Sequence, residues 1–500
     1  MLKTEKLSIT TIKGRRLLED LSFVLNEDDK IALIGEEGNG KSTILKILAG
    51  EDVSSYATYT GTIYCDEKIG YLPQSIGERY LDLPIMEYIN EEPDYAYLFQ
   101  LASRMNISHD LLSYRKVGTL SGGEKVKIAL LKVLYDRPDI LLLDEPTNDL
   151  DLKTLIWLEE FIMNERSKIL FISHDEELLQ RCANGILHLE QLKRKSEPHV
   201  TYSGESYLEY AQSRKAFIER NNRIASKQKA ELHKQMEKWR RIYQSVEHAQ
   251  ATVSRSDPHG GQVLKKKMHA VRSQGRNLEA KKENMRKAFE PEEAIDVYFD
   301  DVFINPDKIV LDLKLDELKN GSEVLSKDVR LQVRGKDRIC IIGDNGSGKS
   351  TLIRIIAKML EEDESINAGY MPQDYYEVLD PKLSPIQFLW DGRDIAAKGK
   401  IGSYLGALKF TTEEMEHRID ELSQGQKCKV LLLSLILKGS NVLILDEPTR
   451  NLSPLSNPQV RKILCDYKGT IISVSHDRKF IDEVADKVYM LDRDGLHLIE

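Results

Sequence analysis

The chain has 500 residues, 41% of them apolar and 31% charged, which suits two or three soluble domains that each bury a core. Its five cysteines (Cys65, Cys182, Cys340, Cys428 and Cys465) are scattered without a CxxC pair, against a disulfide scaffold, a zinc site or an iron–sulfur cluster and for a reducing compartment. Net charge is −9, yet residues 203–290 hold 20 Lys and Arg against 10 Asp and Glu, so a basic segment lies between two acidic ones, as in chains that touch a polyanion.

The N-terminal stretch MLKTEKLSIT has no apolar signal region, so a cytoplasmic location is expected. An apolar run, IALIG (31–35), then leads into EEGNGKST and a helical pattern. Gly35-x4-Gly40-Lys41-Ser42, with Gly38 between and Thr43 after, fits the P-loop pattern. Its glycines let successive N–H groups converge on phosphate oxygens at a helix N-terminus, Lys41 reaches the β- and γ-phosphates, and Ser42 can ligate Mg²⁺. Gln74 closes GYLPQ (70–74), and Ser121, Gly122 and Gly123 lie in LSGGEK, which by itself reads as an ordinary helix N-cap. Asp144 ends the apolar strand ILLLD (140–144), where a carboxylate can hold the Mg²⁺ shell. Glu145 is placed to polarise an attacking water, and His174 follows the next apolar strand as a candidate γ-phosphate sensor. Apolar runs without alternation suit an α/β fold with a mostly parallel sheet covered on both faces.

From about 204 to 290 the pattern becomes long, charged and helical. Tyr210, Phe217 and Ile224 recur every seven residues, and after a one-residue slip so do Leu232, Trp239 and Val246. Leu264, Val271, Leu278 and Met285 continue the spacing, and SRSDPHGGQ (254–262) breaks it. An antiparallel helical hairpin with an apolar seam and a basic exterior is expected, its first helix some forty residues long. RSDPHGGQVLKKK (255–267) places bases near the tip, as for contact with an RNA backbone.

Beyond the hairpin the first pattern returns. ICIIGDNGSGKST (339–351), GYMPQ (369–373), LSQGQK (422–427), VLILDEPT (442–449) and SVSHD (473–477) repeat the earlier elements in the same order at offsets of 299 to 308 residues, so a domain is duplicated. The second set supplies Gly343, Gly346, Gly348, Lys349, Ser350 and Thr351, then Gln373, Ser423, Gly425, Asp446, Glu447 and His476. VLLLSLIL (430–437), the longest apolar stretch found, is far short of a membrane span.

With these residues in order, the chain resembles the ATP-binding cassette ATPases over residues 1–200 and 300–500. The resemblance implies two P-loop ATP-binding cassette domains, 1–202 and 293–500, joined by a basic helical hairpin linker, 203–292. In that family two cassettes pair head to tail, and the signature serine and glycines of one close over ATP held by the other P-loop. One site would then combine Lys41, Ser42, Gln74, Asp144, Glu145 and His174 with Ser423 and Gly425. The other would combine Lys349, Ser350, Gln373, Asp446, Glu447 and His476 with Ser121, Gly122 and Gly123. Mg²⁺ would fall to Ser42, Gln74 and Asp144, and to Ser350, Gln373 and Asp446. Such cassettes often stack an aromatic ring on adenine ahead of the P-loop. Residues 7–21 and 311–325 have none, which leaves the choice between ATP and GTP open.

Two cassettes in one chain, no membrane domain and a charged hairpin between them resemble the ABC-F proteins, which act on ribosomes. That resemblance implies a monomer that hydrolyses ATP, with Mg²⁺, and binds 23S rRNA and tRNA near the exit site through residues 204–290. It also implies a hairpin aimed towards the peptidyl-transferase centre. A housekeeping translation factor, an ABC-F protein acting on other nucleic acid and the twin-cassette ATPase subunit of a membrane importer are the alternatives. Residues 75–119 are too few for the extra arm of some housekeeping members.

The two copies part company after LDEPT. The first continues NDLD (148–151), the usual form, and the second continues RNLSPLSNP (450–458), so Asp151 is matched by Ser453. Asn457 then Pro458 reads as N-cap then first helical residue, which starts the next helix late. LSQGQ is the other departure, and both should face the nucleotide on Lys41, making that site the slower one. The wording RNLSPLSNP resembles the antibiotic-resistance subgroup of ABC-F proteins.

Overall fold

The computed structural model describes all residues except 149, 193–196, 253–257, 286, 287, 290, 292–294, 296, 298, 300, 301, 391, 393 and 500. It divides into two compact units, one made of residues 1–208 with 292–500 and the other of residues 209–291.

In the first half of the larger unit, β1 (Leu2–Thr11), β2 (Arg16–Leu25) and, after β3 (Lys30–Gly35), β4 (Ala57–Cys65) form an antiparallel sheet in the order β2-β1-β4. The larger sheet joins β3 to β5 (Ile69–Leu72), β6 (Ile140–Asp144), β7 (Lys168–Ile172), β8 (Gly185–Gln191) and β9 (Glu197–Ser203) in the order β5-β6-β7-β3-β8-β9. All its neighbours are parallel except β8 and β9. Every residue of β3, β6 and β7 is buried, which is why these strands read as unbroken apolar runs.

The second half repeats the plan. β10 (Ile309–Asn320) and β11 (Glu323–Arg334) make an antiparallel ribbon. β12 (Arg338–Ile342), β13 (Ala368–Met371), β14 (Val442–Asp446), β15 (Thr470–Val474), β16 (Lys487–Leu491) and β17 (Leu496–Leu498) form a sheet in the order β13-β14-β15-β12-β16-β17. In both halves the strand before the P-loop is central, so the loop and the acidic strand end emerge on one edge of the sheet.

The halves pair through charges at equivalent positions. Glu159 and Glu176 in the first half correspond, 302 residues on, to Arg461 and Arg478 in the second. Arg461 donates to both carboxylate oxygens of Glu176, at 2.6 and 3.3 Å, and to Glu483 at 2.8 Å. Arg478 donates to Glu159 and lies 2.9 Å from Glu177 Oε2. Two glutamates from one half thus meet two arginines from the other.

The smaller unit is helical. Its helices run Tyr207–Thr252, starting in the larger unit, and Pro258–Glu283. At about 1.5 Å per residue, the 46 residues of the first span roughly 69 Å. Trp239 Nε1 donates to Val271 O at 2.8 Å, and Asn222 exchanges hydrogen bonds with the backbone of Phe289 at 3.0 and 2.7 Å, so the helices run antiparallel. Two expectations need correction. Phe217 is 59% exposed and meets Phe289 in an edge-to-face contact, while Ala225 and Met268 are buried in its stead beside Val271 and Leu278. Gly260 and Gly261 lie inside the second helix instead of breaking it, because Pro258 sits at its first residue, where no N–H is needed. The remaining part of the proposed break, residues 254–257, lies outside the described residues. Among the described residues no helix is long and apolar enough to cross a membrane.

Candidate functional site

Both P-loops turn directly into a helix, Lys41–Leu48 in the first half and Lys349–Glu361 in the second. Gly40 (φ 88°) and Gly348 (φ 100°) cap these helices in the left-handed region, which glycine enters freely. A Cβ on Gly35 or Gly343 would lie 2.3 or 2.4 Å from the carbonyl oxygen of Leu189 or Leu491, so the loop lies flat against the neighbouring strand. Lys41 Nζ folds back onto Gly35 O (2.8 Å) and Glu36 O (3.1 Å), and Lys349 Nζ onto Gly343 O and Asp344 O (both 2.9 Å). Gly38, Ser42 and Thr43, like Gly346, Ser350 and Thr351, occupy the loop and the first helical turn.

Around Lys41 the predicted residues converge. Ser42 Oγ donates to Asp144 Oδ1 at 2.9 Å, and Tyr71 donates to the other oxygen at 3.1 Å. Glu145 takes Gln74 Nε2 at 2.8 Å and Asn148 Nδ2 at 2.7 Å, with His174 Nε2 3.3 Å away. Burial works to raise the Glu145 carboxyl, but the hydrogen bond and charge of His174, with Lys41 and Asn148, outweigh it and bring its pKa to about 2. His174 Nδ1 meets Leu452 O of the other half at 2.6 Å; a carbonyl only accepts, so this nitrogen carries the hydrogen.

Around Lys349 the same residues stand apart. Ser350, Thr351, Gln373, Asp446, Glu447 and His476 line a cavity of about 630 Å³, together with Gly122 of the other half. Both oxygens of Asp446 are buried without a hydrogen-bond partner of normal geometry, and burial holds its carboxyl above the usual range. Burial, then the charge of Asp446, pushes Glu447 up to about 8. Burial, then the charge of Lys349, holds His476 down to about 4. His476 Nδ1, the counterpart of the nitrogen that reaches Leu452 O, is buried with no partner. Glu145 (φ 49°) and Glu447 (φ 53°) both occupy left-handed backbone, a strained placement that functional sites tolerate. A buried carboxylate without a partner, beside a P-loop serine, is a donor set that fits Mg²⁺.

The signature residues divide. Ser121 and Ser423 both cap their helices, Gly122–Tyr135 and Gln424–Lys438, in capping boxes with Glu124 and Gln426. Ser121 Oγ points at its own Glu124 (2.9 Å), Gly122 enters the Lys349 cavity, and Gly123 is pressed on Thr154. Gly425 reaches the Lys41 loop, where its N–H donates to Glu37 Oε2 at 2.5 Å.

Several functional contacts went unforeseen. Glu36 accepts from Ser453 Oγ (2.5 Å) and Ser456 Oγ (2.6 Å) and pairs with Lys429 Nζ (3.3 Å), all from the other half. The readable signal was the contrast of EEG with DNG in the two P-loops. The helix after RNLSPLSNP starts at Asn457 with Ser456 as N-cap, so Asn457 is not the cap. Its counterpart starts at Leu152 behind Asp151, so the second helix begins three residues late in the common frame, leaving Ser456 at its head to reach Glu36. Asp149, in the corresponding NDLD, lies outside the described residues.

A family described as ABC transporter matches residues 18–148 and 326–450. The ATP-binding protein Uup of Buchnera aphidicola is 32% identical over 96% of this chain and 79% of its own length. The ribosome protection protein VmlR of Bacillus subtilis is 27% identical over 97% of this chain and 86% of its own. Among solved structures, the complex of archaeal ribosomal stalk protein aP1 with the archaeal ribosome recycling factor aABCE1 aligns with a TM-score of 0.60 at 17% identity, covering 99% of this chain and 89% of that one, a likeness of fold alone. With a P-loop, an acidic strand end and a histidine assembled twice across one interface, the chain belongs to the ABC transporter family, with two ATP-binding cassettes in tandem.

Proposed function

We propose that the protein is a cytoplasmic, monomeric ABC-F ATPase that binds the ribosome with ATP held between its cassettes and protects the peptidyl-transferase centre from antibiotics. The observation that carries this reading is the basic antiparallel hairpin between two whole cassettes. An importer subunit has no use for such an arm. A relative named a ribosome protection protein supports the same reading. The hairpin would meet 23S rRNA and tRNA near the exit site with its lysines and arginines.

In this reading Lys41 and Lys349 swing from their own loop carbonyls onto the phosphates of ATP. Mg²⁺, held by Ser42 with Asp144 and by Ser350 with Asp446, would neutralise phosphate charge. Glu145 and Glu447 orient and deprotonate the attacking water, and His174 and His476 hold the γ-phosphate end. Glu447 must lose its proton first, whereas Glu145 is already ionised and engaged by Gln74 and Asn148. Hydrolysis opens the cassettes and releases the ribosome.

A housekeeping translation role is the second reading, since other relatives over nearly the whole chain are named simply as ATP-binding proteins. The test is to pellet ribosomes through sucrose with the Glu145→Gln/Glu447→Gln double variant, with and without ATP. ATP-dependent co-sedimentation is expected, and a variant that stays in the supernatant under both conditions overturns the ribosomal reading. Expression in a susceptible bacterium then separates the two roles, since protection raises the inhibitory concentration of peptidyl-transferase drugs and a housekeeping role does not.

A further inference from the structure

The two P-loops differ in the two residues after their first glycine, Glu36-Glu37 against Asp344-Asn345, and these residues do different things. Glu36 is largely buried and is held by three donors of the second cassette, Ser453, Ser456 and Lys429. Glu37 takes the backbone N–H of Gly425, the first turn of the helix that in a head-to-tail pair faces the phosphates on Lys41. The space lined by Glu36, Glu37, Ser423, Gln426 and Lys429 is only about 20 Å³. On the other side Asp344 has one exposed ion pair, to Lys153 at 3.0 Å. The counterpart of Lys429 there is Lys127, which sits 4.7 Å over the Trp157 ring instead of on a P-loop acid. The counterpart of Ser453 is Asp151, which has no proton to give and caps its own helix at Thr154. Buried donors thus meet the P-loop acids across one interface, whereas across the other an exposed ion pair stands in their place.

We infer that Glu36 and Glu37 form a nucleotide-independent latch that keeps the Lys41 side of the cassette pair closed, so that opening and exchange occur at the Lys349 side. The reason is substitution of one anion by another. A carboxylate already occupies the N–H of Gly425 and the hydroxyls of the departed RNLSPLSNP loop, so this interface needs no bound phosphate to satisfy its donors. The charge of Lys429, with both serines, outweighs the burial of Glu36 and brings its carboxyl to about 2, so the latch stays ionised at neutral pH. His174 reaching Leu452 O while His476 Nδ1 is unpartnered reports the same asymmetry from different residues. The inference rests on reading both P-loops as nucleotide sites; it does not depend on the ribosome.

Amide hydrogen exchange on the full chain without nucleotide tests it. Exchange over residues 422–430 should be slower than over 120–128. In the Glu36→Gln/Glu37→Gln variant, exchange over 422–430 should rise about tenfold, the effect of losing charge-assisted hydrogen bonds, while 120–128 stays put. The Ser453→Ala/Ser456→Ala variant approaches from the opposite side and should give the same release. Unchanged exchange in β14 shows that either variant is folded. Equal protection of the two segments in the wild-type chain, or no change in either variant, overturns the latch. Loss of ribosome binding with the latch intact would instead count against the proposed function alone.

Discussion

Glu145 and Glu447 occupy the same strained turn after the same strand, yet one is ionised by its neighbours and the other protonated by burial. The difference comes from what surrounds them, since Gln74, Asn148 and His174 close on Glu145, whereas Glu447 takes the backbone N–H of His476 at 3.3 Å. Steady-state ATP turnover should therefore respond unequally to the two single substitutions. Glu447→Gln, at the open site, is expected to cost roughly tenfold or more, and Glu145→Gln distinctly less. Equal losses would remove the case for a slow Lys41 site. Glu36 gives a prediction with a definite sign. Its folded pKa, about 2, lies below the unfolded value of 4.5, so it stabilises the fold above pH 4.5, and this contribution is lost as pH falls towards 2. At pH 7, Glu36→Gln should lower stability on the order of 3 kcal/mol, and in denaturant titrations the gap should narrow as pH falls below about 4.5.

At the scale of elements, the hairpin depends on one close approach. A Cβ on Gly275 would stand 2.7 Å from Trp239 Cζ2, and the indole is already tied to Val271 O. Gly275→Val should force the two helices apart at about 1–3 kcal/mol and make the arm more sensitive to protease, whereas Phe217→Ser, on an exposed face, should change thermal stability very little. The heptad spacing predicted the hairpin but put Phe217 in the seam. A one-residue slip within a long helix rotates the apolar stripe, and only the partner helix decides which residues are covered. The antiparallel layer of β1, β2 and β4 was equally hard to read. Its bulged register, shifting between Thr4 and Leu7 and again between Leu7 and Ile9, breaks the alternation that marks a strand.

For the whole molecule, the paired charges at equivalent positions explain how a duplicated chain pairs its two different halves. Glu159 and Glu176 facing Arg461 and Arg478 favour first against second cassette and oppose first against first, where four carboxylates would meet. Arg461→Glu should destabilise the cassette pair by about 3–5 kcal/mol, because it leaves Glu176 buried beside a like charge, and adding Glu176→Arg should recover much of that loss. Unfolding of both variants in denaturant would show it; no recovery in the double variant would mean that the cluster is not a coupled pair.

Much of this protein was determined by local sequence. A P-loop must follow a strand and open a helix, a carboxylate must end a buried strand, and a repeated order of such elements can only be a repeated domain, since each depends on neighbours in the chain. The pairing of Glu36 with Ser453, Ser456 and Lys429, about 400 residues away, was decided by tertiary structure alone. The same holds for the contrast between two sites built from nearly the same motifs. A side chain's charge state and partners follow from burial and distance, and these exist only once remote segments have been brought together.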